Sequence, residues 1–216
     1  NKIPIYKLKT TKEVMDFYDD WGDKDKYNKD MVDWNYSGPK ETVNTFKKYA
    51  KNKDMLIFDA GCGTGWVVRM VSEMETCFSS NGVDGSTKMI EKARSIDSLN
   101  KYDCSDLLSW KPNSKKDIVH SMEVLYYFEN PLLVIENFYN NWLNNNGRLI
   151  IGVDFYKENP SSHDWPEKTN VSIMNLISKS EWKKMFLDAG FKNVESWEVG
   201  KTKDWEGTLV VTGTKK

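Results

Sequence analysis

The feature that most constrains this chain is the passage from the apolar run Met55-Leu56-Ile57-Phe58 into Asp59-Ala60-Gly61-Cys62-Gly63-Thr64-Gly65. Four apolar residues ending at a turn signal read as a buried strand, and glycines at every second position mark a turn where backbone comes close to a ligand. Dinucleotide-binding turns space their glycines as G-x-G-x-x-G, which brings a helix N-terminus onto a pyrophosphate. The alternate spacing here disfavours that ligand and the nicotinamide-dependent chemistry that goes with it. After the turn, Val67, Met70, Val71 and Met74 recur at helical spacing, so Trp66 to Glu75 reads as a helix.

The same alternation continues along the chain. Ser80–Asp84 reads as a second strand, followed by a helix from Thr87 to about Ser95 that Ser86 can cap. Tyr102–Asp106, Asp117–Met122 and Arg148–Asp154 read as strands three to five, with a helix over Pro131–Leu143 before the last. Strands alternating with helices imply a mostly parallel sheet covered on both faces. The end breaks this rhythm. Ser180 is positioned to cap a helix over Glu181–Ala189, after which Asn193–Val199 and Thr208–Thr214 follow with no room for a helix between them. They must pair as an antiparallel hairpin. In front of strand one, Thr11–Tyr18 and Lys40–Tyr49 look helical and flank the aromatic, acidic stretch Trp21–Tyr36. These segments are expected to form a lid over the C-terminal strand edge, where open α/β sheets bind ligands. The 216 residues suit one domain: a lid over 1–52 and a cofactor-binding core over 53–216.

Charge and cysteines exclude several classes of function. Lys and Arg total 31 against 32 Asp and Glu, a net charge of −1 that gives no general attraction to nucleic acid or anionic membranes. Cys62, Cys77 and Cys104 have no metal-ligand spacing, and His120 and His163 are the only histidines, so no metal site is expected. No apolar run approaches the roughly 20 residues of a membrane span. The expectation is a cytoplasmic protein, monomeric or homodimeric, without a membrane or nucleic-acid partner; a leader removed ahead of Asn1 would leave no trace here.

Strand two ends at Asp84, placed to bind a pair of ribose hydroxyls, as the acid following a glycine-rich turn does in nucleotide-binding sheets. Together the segments LIFDAGCGTG (56–65), NGVDGSTKMIEKAR (81–94), CSDLLSW (104–110), DIVHSMEVLYYFENP (117–131), NNGRLIIGVD (145–154) and SKSEWKKMFLDAGF (178–191) resemble the class I S-adenosylmethionine-dependent methyltransferases of the small-molecule branch. YDDWGDKDKY (18–27) resembles the N-terminal segment of many of them, and the likeness runs from about residue 11 to 214. It implies a Rossmann-like seven-stranded sheet with an antiparallel C-terminal strand, and S-adenosylmethionine as cofactor. Carried over residue by residue, Asp59, Gly61, Cys62 and Gly63 would hold the amino-acid end and Asp84 the ribose. Gly85, Ser105, Asp106 and Leu107 would meet the adenine, with Asp103 competing with Asp106. Ser121 would face the sulfonium, and Trp21 would close the site from the lid. Gly85 departs from the family, which often carries a larger residue there.

The acceptor is less legible. Methyl transfer is an in-line displacement, so positioning supplies much of the catalysis, and a base is needed only where the acceptor must lose a proton. Glu123, Asp154 and His163 are the candidates, with Glu158 and His120 behind them; His120, inside strand four, reads rather as a buried structural histidine. If Ser121 faces the cofactor, Glu123 two residues on shares its side of an extended strand; the competing view makes Glu123 a helix-initiating acid. Tyr18, Trp34, Tyr36, Tyr126, Tyr127, Tyr156 and Trp165 are the candidate acceptor-binding aromatics. Their rings suit either a plain apolar wall or a cationic acceptor or onium product. The expected partner is therefore a small-molecule methyl acceptor, with a protein or peptide substrate, or a non-catalytic S-adenosylmethionine-binding module, as alternatives.

Overall fold

The computed structural model describes residues 11–23, 38–51 and 54–216. Seven strands form one sheet in the order β3-β2-β1-β4-β5-β7-β6. They are β1 (Met55–Ala60), β2 (Cys77–Asp84), β3 (Lys101–Cys104), β4 (Lys116–Met122), β5 (Leu143–Val153), β6 (Lys192–Val199) and β7 (Thr208–Thr214). Strands β1 to β5 pair in parallel, and β7 inserts antiparallel between β5 and β6. The expected hairpin thus closes the sheet.

The helices are α1 (Thr11–Asp23), α2 (Gly38–Tyr49), α3 (Trp66–Ser72), α4 (Thr87–Ile96), α5 (Pro131–Asn137), α6 (Trp165–Thr169) and α7 (Lys179–Asp188). Ser86 caps α4 as expected, accepting from the Met89 amide. Helix α7 starts earlier than expected: Ser178, not Ser180, is its cap, because Glu181 sits at the third helical position and completes a reciprocal capping box with Ser178. The helix expected over Pro131–Leu143 is α-helical only to Asn137 and ends in one π turn, Phe138–Trp142, which buries Phe138 and Trp142. Leu143 then already belongs to β5, paired with Lys116.

Successive strand residues face opposite sides of the sheet, and the core divides accordingly. Val119, Leu149 and Ile151 pack with Phe138, Trp142, Trp182 and Phe186 on one side. Ile57, Ile118 and Ile150 pack with Phe46, Val67 and Val71 on the other. Phe46 belongs to α2 and Ala50 follows it directly, so α2 covers the sheet face and is not part of the expected lid. Helix α1 does reach the strand ends. It packs on α4, and its Asp19 accepts from the Ser86 hydroxyl (2.5 Å) and the Lys88 amide (3.0 Å).

Candidate active site

A cavity of about 750 Å³ opens at the C-terminal ends of β1, β2, β4 and β5, the size of a site for a nucleoside-like molecule and a second ligand together. Its two halves are built differently. In the first, the β1 turn holds Gly61 and Gly63 at φ 77° and 52°, left-handed conformations that glycine adopts without strain. A Cβ on Gly61 would stand 2.2 Å from Val124 Cγ2, so only glycine lets the turn lie against the start of the β4 loop. The Gly61 and Cys62 amides donate to Val83 O, which seats the turn on the end of β2.

Asp84 borders the cavity, and each of its oxygens accepts one backbone amide: Oδ2 from Gly63 (2.9 Å) and Oδ1 from Ser86 (2.8 Å). Burial raises its pKa, while these two amides oppose the rise. The Gly63 amide is therefore engaged in aiming Asp84. Asp59, Cys62, Gly85, Ser105, Leu107 and Trp21 also line this half. Burial pushes the Cys62 thiol well up, so it stays a small neutral wall. Gly85 has a specific use: a Cβ there would fall 2.3 Å from Met15 Cε of α1. Met15 occupies the volume that a larger residue after the acid would fill.

Two expected cofactor residues stand elsewhere. Asp106 is exposed, outside the cavity wall, with its carboxylate turned back to accept the Leu108 amide at 2.9 Å. Asp103 is likewise exposed. Ser121 is buried and donates to Ala60 O at 2.7 Å instead of facing the cavity. Glu123 does line it, yet not by sharing a strand face with Ser121. Its φ of 57° ends the extended geometry and turns the side chain inward.

The second half holds Glu123, Asp154, Tyr18, Tyr126, Tyr127 and Trp165. Glu123 bridges two strand ends, Oε1 accepting from the Asp154 amide (2.5 Å) and Oε2 from the Tyr126 hydroxyl (2.8 Å). Burial first, then the Asp154 carboxylate, raises its pKa well above the ordinary 4.5. Tyr18 and Tyr127 join hydroxyl to hydroxyl at 2.9 Å, linking α1 to the Leu125–Tyr127 turn. Asn175 fastens the loop before α7 to the same turn, through its amide to Tyr126 O and its side chain to Phe128 O.

Two further candidates lie off this wall. His163 is exposed, with Nε2 3.3 Å from Tyr156 O, because the Pro160–Ser162 turn carries it outward. Tyr156 is completely buried and donates to Gly207 O at 3.0 Å. Trp34 and Tyr36 lie outside the described residues. Sequence reasoning missed Trp205, which stacks on Trp165 (centroids 6.2 Å apart, planes at 18°) and lines the cavity from the β6–β7 connection with Thr202. Nothing local in Lys201–Glu206 signals this. Among the described residues no group of His, Cys, Asp or Glu could hold a metal ion, and no helix is long and apolar enough to cross a membrane.

The methyltransferase domain family matches residues 21–196, and the chain belongs to that family. It is 27% identical over 153 residues to the malonyl-[acyl-carrier protein] O-methyltransferase of Halalkalibacterium halodurans, covering 64% of this chain and 56% of that protein. It is 22% identical over 135 residues to the trans-aconitate 2-methyltransferase of Agrobacterium fabrum, covering 62% of this chain and 49% of the relative. The chain thus spans about half the length of these curated relatives. The magnesium protoporphyrin IX methyltransferase of Synechocystis, solved with bound S-adenosylhomocysteine, shares the fold at TM-score 0.73 and 16% identity, over 96% of this chain and 100% of the other. A chain of a complex containing the Haloferax volcanii Trm112 methyltransferase activator shares it at TM-score 0.76 and 24% identity, over 91% and 96%. The cofactor that membership in this family implies is S-adenosylmethionine. The glycine turn against Val124 and the doubly anchored Asp84 form a cradle that fits it.

Proposed function

We propose that this chain transfers the methyl group of S-adenosylmethionine to a small molecule held in the second half of the cavity. The observation that carries this reading is the continuity of one cavity from Asp59 and Asp84 to Glu123, Trp165 and Trp205. When bound, the cofactor supplies a methyl group on a positively charged sulfur, open to in-line attack by an N, O or S lone pair. Asp59 holds the cofactor's ammonium, and Asp84 takes the ribose hydroxyls through the lone pairs that its two amides leave free. Ser105 and Leu107 flank the adenine, with Met15 covering the side that Gly85 leaves open.

Charge selects among acceptors. The malonyl and aconitate methyltransferases are named for acidic substrates. Here the acceptor half presents the carboxyls of Glu123 and Asp154, and its basic residue, Lys168, is ion-paired with Asp164 at 2.7 Å. A polyanion would meet like charge. A neutral or cationic molecule with an aromatic or aliphatic body fits better, gripped by Tyr126, Tyr127, Trp165 and Trp205. Where the acceptor is an ammonium or hydroxyl, Glu123 with its raised pKa can take the proton. The balanced net charge speaks against a nucleic-acid or membrane-surface substrate, and the partly enclosed cavity supports a small-molecule acceptor over a protein.

Incubation with labelled S-adenosylmethionine and a panel of amines, phenols, thiols and carboxylic acids tests this. Label is expected in amines or phenols with an apolar body. Label in polycarboxylates alone would overturn the acceptor class; absence of binding to S-adenosylmethionine and its demethylated product would overturn the activity.

A further inference from the structure

Asp59 and His120 stand opposite each other in the pairing of β1 with β4, and Ile150 of β5 flanks His120 on its other side. His120 Nδ1 lies 2.6 Å from Asp59 Oδ1. The histidine is completely buried (0% exposed), while Asp59, 4% exposed, borders the cavity. His120 therefore stands behind the carboxylate, away from any ligand. Its other nitrogen, Nε2, is buried with no hydrogen-bond partner among the described residues. A proton on Nε2 would have no acceptor and would leave two lone pairs, of Nδ1 and Oδ1, facing each other. A proton on Nδ1 is donated to the carboxylate. The surroundings thus fix one tautomer, with Nδ1–H donating to Asp59 Oδ1.

We propose that His120 is a positioning residue for the cofactor: its Nδ1–H occupies Asp59 Oδ1 and turns Oδ2 into the cavity for the cofactor's α-ammonium. This rests on the role given to Asp59 above. A buried histidine–aspartate pair can also simply brace two strands, and the ligands separate the two roles. S-adenosylhomocysteine carries the amino-acid end, whereas 5′-methylthioadenosine has the same nucleoside and sulfur without it. A strand brace serves both alike; a device aimed at the ammonium serves only the first.

The test is calorimetric titration of the full chain with both ligands, for the wild type and for His120→Leu, His120→Asn and His120→Gln. The Asn amide can stand where Nδ1 stood, whereas the Gln amide reaches toward the Nε2 position. His120→Leu and His120→Gln are expected to bind S-adenosylhomocysteine about tenfold or more weakly, the scale of a lost charge-assisted hydrogen bond. Their affinity for 5′-methylthioadenosine should stay within about twofold, and His120→Asn should retain most of the wild-type affinity for both. Equal losses on the two ligands, or none on either, would overturn the proposal while leaving the cofactor site in place. If His120→Leu does not fold, the contrast between Asn and Gln decides: the same behaviour in both overturns it. A wild type that binds neither ligand would remove the cofactor site, and this proposal with it.

Discussion

The two halves of the cavity hold their residues by opposite means. In the cofactor half, Asp59, Gly61 and Asp84 sit at the ends of adjacent parallel strands, and backbone amides of the same turns aim the carboxylate of Asp84. In the acceptor half, the walls come from α1, the turn after β4, the loop and helix after β5, and the β6–β7 connection. Side-chain pairs tie them together: Tyr18 with Tyr127, Glu123 with Tyr126, Trp165 with Trp205. A site held by backbone tolerates little change in its glycines and acids, whereas a wall of side chains can be refitted ring by ring. On the proposed function, the chemistry common to the family resides in the first half, and the choice of acceptor in the second.

Glu123 sits at the junction, and changing it should have the largest effect. Glu123→Gln keeps a side chain able to reach Tyr126 and the Asp154 amide but cannot take a proton. We expect kcat for an acceptor that must be deprotonated to fall by about 100-fold or more, with cofactor affinity unchanged. The wild-type rate should fall as pH drops through the raised pKa of Glu123, and the variant should lack that limb. Stability moves the other way. The folded protein holds the Glu123 proton above the ordinary value of 4.5, so wild-type stability should decline as pH rises from there through the raised pKa. Urea titrations across that window should show a shallower decline for Glu123→Gln. Equal slopes and an unchanged rate profile would make Glu123 only a strut between β4 and β5.

Asp84→Ala tests the cofactor half. It removes the acceptor of two amides and the proposed ribose ligand together, and should weaken S-adenosylhomocysteine by about 1 to 3 kcal/mol in calorimetry. The acceptor KM, measured with saturating cofactor, should hardly move; a shift as large as the cofactor's would mean that the halves are not separable.

Trp205→Leu is the mildest break. Losing one face of the Trp165 stack should raise the acceptor KM by an amount equivalent to about 1 kcal/mol, with cofactor affinity intact. If Trp165→Leu penalises cationic acceptors more than neutral ones, the stack recognises charge; equal penalties would leave apolar packing as its contribution.

The same contrast explains what could be read from the sequence. The turn at Asp59–Gly65, the acid at Asp84, the alternation of strands and helices and the closing hairpin are short-range patterns, and the sheet follows from them. Asp106 was unreadable because a carboxylate two residues before an amide can close its own turn, as it does on Leu108, as easily as reach a ligand. His163 and Tyr156 have suitable chemistry in a suitable loop, but the Pro160–Ser162 turn faces one to solvent, and the other is buried with its hydroxyl on Gly207 O, just before β7. Trp205 enters the wall only once the β6–β7 connection folds over the loop after β5. Met15 and Gly85 complement each other across 70 residues of sequence, a relation that exists only in the folded chain.

The contact of Asp19 with the start of α4 has a dynamic consequence. Its carboxylate accepts from the Lys88 amide and the Ser86 hydroxyl, and the amide of that same serine holds Asp84. Swinging α1 away to admit a ligand therefore strips the first turn of α4 of a hydrogen-bond acceptor and loosens the residue beside the ribose acid. Were ligands to enter by that route, their exchange would be a small local unfolding event timed by the Lys88 amide. In deuterated buffer that amide should exchange at the rate at which α1 opens, and slow when S-adenosylhomocysteine is added.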